Sequence, residues 1–63
     1  MKRKHAETFV ANQLKDLDVH PQSRAWIKIY ENAVEGAEIM SKDELIKFIE
    51  ELVELTPDGD LYE

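Results

Sequence analysis

The sequence predicts an all-α protein, a small three-helix bundle that associates with copies of itself. Three observations carry this expectation. Apolar residues recur at helical spacing in three separate stretches, the third stretch opens on a capping box, and the chain is short. With 63 residues it has room for one domain, and a domain of this size buries only about 60% of the surface of its unfolded chain. Small scaffolds offset that shortfall with disulfides, a structural metal or self-association. This chain has no cysteine, and His5 and His20 are its only nitrogen ligands, so self-association is the expected route.

The first helix is expected over residues 4–17. At 100° per residue, Ala6, Phe9, Val10, Gln13, Leu14 and Leu17 share one face. The second is expected over 22–35. Trp26, Ile27, Ile29, Tyr30, Ala33, Val34 and Ala37 fill one broad arc, with Arg24, Lys28, Glu31 and Glu35 opposite. Pro21 or Ser23 suits its start and Gly36 its stop. The third is expected over 42–55. Ser41-Lys42-Asp43-Glu44 reads as a capping box, in which serine and glutamate satisfy each other's free amides. Leu45, Ile46, Phe48, Ile49, Leu52, Val53 and Leu55 then cover half the circumference. Pro57 and Gly59 end the helix and leave an acidic tail over 56–63.

The apolar arcs of the second and third helices are wider than the stripe of about 100° that a bundle helix buries. The excess points to a second copy, with Trp26, Tyr30, Leu45, Phe48, Ile49, Leu52 and Leu55 as the expected oligomer interface.

The net charge of −6 is unevenly placed. Residues 1–30 carry six basic and three acidic side chains; residues 31–63 carry two basic and eleven acidic. Such asymmetry orients copies or presents an acidic face to a basic partner. No run approaches the roughly 20 apolar residues that cross a bilayer, and no apolar h-region follows the basic start. A cytoplasmic protein without a membrane partner is the expectation.

Catalytic chemistry finds little to work with. Nucleophilic catalysis needs a hydroxyl or thiol beside an oriented base, whereas Ser41 and Ser23 sit at helix starts and neither histidine has an evident orienting partner. No glycine-rich phosphate loop exists, since Gly36 and Gly59 are the only glycines. Taking Glu44 as the last ligand of a calcium loop puts Ala33 and Ala37 at ligand positions, so that set fails. A non-enzyme with no metal and no cofactor is expected.

Binding is the remaining class, and two forms of it compete. Glu50, Glu51, Glu54, Asp58 and Asp60, with Tyr62, form a run suited to a basic protein partner, as in a compact bacterial or phage regulator or inhibitor. Alternatively the first two helices and the turn Asp18-Val19-His20-Pro21 have helix-turn-helix spacing, with Gln22, Ser23, Arg24 and Lys28 near the start of a DNA-reading helix. In addition, residues 43–62, Asp-Glu-Leu-Ile-Lys-Phe-Ile-Glu-Glu-Leu-Val-Glu-Leu-Thr-Pro-Asp-Gly-Asp-Leu-Tyr, resemble the second helix and following turn of the colicin DNase immunity proteins. The resemblance covers a third of the chain and needs gaps around Pro57-Asp58-Gly59. It implies an inhibitor of a basic nuclease acting through Glu50, Asp60 and Tyr62.

Overall fold

The computed structural model describes residues 1–62, the side chain of Tyr62 excepted. Among them every regular element is helical: α1 (Arg3–Asp16), α2 (Arg24–Gly36), α3 (Lys42–Leu55) and α4 (Asp58–Tyr62). The all-α class holds, but the three-helix expectation is corrected to four. The stretch read as an acidic tail contains a helix. Pro57 stops α3, and its carbonyl then accepts from the Asp60 amide at 3.0 Å to start the next turn. Asp58 and Asp60 lie in the first turn of α4, where the helix dipole favours carboxylates. Leu61 is buried, and the His20 amide donates to the Leu61 carbonyl at 2.8 Å. That bond ties α4 to the α1–α2 connection.

Helix α2 is central, packing against α1, α3 and α4, while α1 also touches α3. The core comprises Ala6, Val10 and Leu14 of α1, Ala25, Ile29, Ala33 and Val34 of α2, and Leu45 and Ile49 of α3. Val19, Ala37 and Leu61 close it. Small residues at 25, 33 and 37 let the helices approach, so a short chain still excludes water from Leu14, Leu45 and Ile49. The face of α2 is narrower than its apolar spacing implied, because Ile27 is 46% exposed.

The α1–α2 connection is built on two left-handed residues, Asp18 (φ 60°) and Gln22 (φ 65°). Asp18 ends α1 in a Schellman motif: its amide donates to the Lys15 carbonyl and the Val19 amide to the Leu14 carbonyl, at 3.1 and 3.0 Å. Val19 is thereby turned into the core. Ser23 caps α2, its hydroxyl accepting from the Trp26 amide at 3.1 Å. Ser41 and Glu44 form the capping box of α3. Gly36 ends α2 without a positive φ, and a β-carbon there would crowd only Met40 Cε, the movable end of a flexible side chain.

Candidate functional site

The acidic residues singled out by sequence fall into two groups. Glu50, Glu51 and Glu54 are exposed on α3, and Glu50 and Glu54, four apart, occupy one ridge of it. The last turn of α3 holds no basic residue, so these carboxylates face the negative end of a helix dipole uncompensated. Asp58 is exposed and Asp60 half-buried, both in the first turn of α4. Those two have a structural reason to be acidic that the third helix's carboxylates lack. Of Tyr62 the structure places the backbone in α4, and its side chain lies outside the described residues.

The expected oligomer interface is not one surface. Leu45 and Ile49 are fully enclosed in the chain's own core and present nothing to a second copy. This corrects their assignment: the third helix needs half its circumference because it packs on both α1 and α2. Trp26 and Tyr30 are half-buried and stack on each other, centroids 4.8 Å apart and planes 9° apart. Phe48, Leu52 and Leu55 lie along the α2–α3 seam, the first two half-buried and Leu55 82% exposed.

Two shallow cavities open along that seam. One, about 410 Å³, is lined by Arg24, Lys28 and Asn32 on one side and Leu52, Leu55, Thr56, Pro57 and Asp60 on the other, over Ala25 and Ile29. The second, about 480 Å³, is bounded by Asn32, Glu35, Gly36 and Glu38 together with Ile39, Met40 and Phe48. A third hollow, about 670 Å³, lies between α1 and the α1–α2 connection against Trp26. None brings a hydroxyl nucleophile against an oriented histidine. The His20 Nδ1 lies 2.8 Å from the Pro21 carbonyl, to which it donates, and both Ser23 and Ser41 are engaged in capping. Among the described residues no three aspartate, glutamate or histidine side chains converge as a metal site.

The helix-turn-helix reading loses one of its four residues to geometry. Ser23 is wholly buried as the cap of α2 and cannot reach a base edge, while Gln22 stands exposed just before the helix in a left-handed conformation. Arg24 and Lys28 remain exposed, but on the rim of the seam facing Leu55 and Asp60. Sequence reasoning did not single out Ile39. It is 89% exposed just after α2, and an isolated isoleucine in a connection carries no periodic signal. No helix of the described residues is long and apolar enough to cross a membrane. Comparison with protein-family models, with characterised proteins and with solved structures returned no match.

Proposed function

We propose that this chain is a non-enzymatic binding protein that meets a basic protein partner through the acidic ridge of α3 and the adjoining α4, and that it also pairs with itself. One observation supports the first part above others: Glu50, Glu51 and Glu54 crowd the C-terminal turns of α3 without a basic residue in its last turn. Folding stability would favour cations there, and the Glu50/Glu54 pair repels by a few tenths of a kcal/mol. A basic partner relieves both terms and gains association rate from the charge. The exposed Glu50 and the half-exposed Asp60 also suit the sharper form of this reading, an inhibitor covering a basic nuclease surface.

The experiment is affinity capture from the source cell with the wild-type chain and with a variant carrying Gln or Asn at Glu50, Glu51, Glu54, Asp58 and Asp60. The wild type is expected to retain a basic protein that the variant releases. Equal retention by both would make the ridge a solvated surface only. A DNA-binding role predicts instead that Arg24→Ala with Lys28→Ala abolishes a salt-sensitive association with duplex DNA.

A further inference from the structure

The most exposed large apolar side chains among the described residues are Ile39 (89%) and Leu55 (82%), and both border the same seam between α2 and α3. The helices run antiparallel, since the start of α2 and the end of α3 line one cavity. Leu55 therefore marks one end of the seam and Ile39 the other. The ends also differ in charge. The Leu55 end carries Arg24 and Lys28 against Asp60, a net of +1, and the Ile39 end carries Glu35 and Glu38, a net of −2. Asn32 borders both cavities and so sits between the two ends.

A surface that is basic and apolar at one end, acidic and apolar at the other, is complementary to itself after a half-turn. We propose that a second copy of this chain docks on the α2–α3 seam about a two-fold axis at Asn32. Arg24 and Lys28 of each protomer then face Glu35 and Glu38 of its partner, and Leu55 of each is covered near Ile39 of the other. Such an isologous contact closes at two copies, because each surface residue is used up by the pairing. The Asn32 amide carries both donor and acceptor, so on the axis it can pair with its own copy. Both large exposed apolar side chains leave water in one step. This inference rests on the self-association half of the proposed function and gives it a face and a symmetry. It leaves Glu50, Glu51 and Glu54 free for the basic partner, and of the acidic residues assigned to that partner only Asp60 also lines the seam.

Charge reversal tests it. The variant R24E/K28E makes both ends of the seam acidic, and the variant E35K/E38K makes both ends basic. Sedimentation should show the wild type as a dimer at high micromolar concentration and each variant alone weakened on the order of a hundredfold or more. An equimolar mixture of the two variants should dimerise again, since every contact then joins opposite charges. Regained pairing also demonstrates that both variants fold. As a second measurement, Asn32→Cys in this cysteine-free chain should oxidise to a symmetric disulfide-linked dimer, whereas Thr8→Cys, exposed on α1, should not. A wild type that stays a 7.3 kDa monomer overturns both this inference and self-association. Reversal variants that dimerise like wild type, or a mixture that fails to pair, overturn the seam alone. An Asn32→Cys chain that cross-links no faster than Thr8→Cys does the same.

Discussion

Ser23 is a buried polar side chain at the start of α2, and its hydroxyl takes the Trp26 amide that would otherwise be orphaned. Ser23→Ala should lower stability by about 1–2 kcal/mol, read as a lower midpoint in thermal or urea unfolding. One position earlier, Gln22 holds φ at 65°, a conformation that costs a residue with a β-carbon roughly 1–2 kcal/mol. Gln22→Gly should raise stability by up to about 1 kcal/mol, read as a higher unfolding midpoint, the glycine's greater unfolded entropy removing part of the gain. Leu45 and Leu55 separate core from surface. Leu45→Asp should unfold the chain, because an unpaired carboxylate in the core costs several kcal/mol; Leu55→Asp should leave helix content intact and weaken only association. At this scale the sequence was partly legible. Helical spacing identified Leu45 and Leu55 as apolar positions alike, but only packing tells that one faces α1 and α2 while the other is left outside.

Among the helices, the capping box of α3 was readable because serine and glutamate three apart carry their own mechanism. The end of α1 was read from apolar spacing to within one residue, 17 against Asp16, but not its mechanism. The Schellman motif there places Asp18, rather than glycine, in the left-handed position, so the usual stop signal is missing. Helix α4 was hidden for a different reason: five residues make little more than one turn, too short for apolar periodicity to register. It forms because Leu61 finds the core and the Leu61 carbonyl finds the His20 amide. Leu61→Ala should therefore cost about 2 kcal/mol, and hydrogen exchange at the His20 amide should accelerate with it. If that amide stays protected in the variant, α4 is held by something other than Leu61.

Across the whole molecule, the charge asymmetry visible in the sequence is resolved into two surfaces. The basic residues of α2 belong to the seam, opposite in character to Glu35 and Glu38 at its other end, while Glu50 and Glu54 stand on a ridge of α3 that the seam does not use. Composition alone sums these into one acidic chain, since it carries no information on which helix edge each charge occupies. The function we propose depends on the ridge, and its electrostatic content makes a kinetic demand. With the captured partner in hand, the association rate is to be measured against salt for the wild type and for a variant with Glu50, Glu51 and Glu54 changed to Gln. The account predicts a wild-type rate that falls steeply as salt rises, and a variant rate that is slower at low salt, at least about tenfold, and nearly flat. Equal rates with equal salt dependence would contradict it.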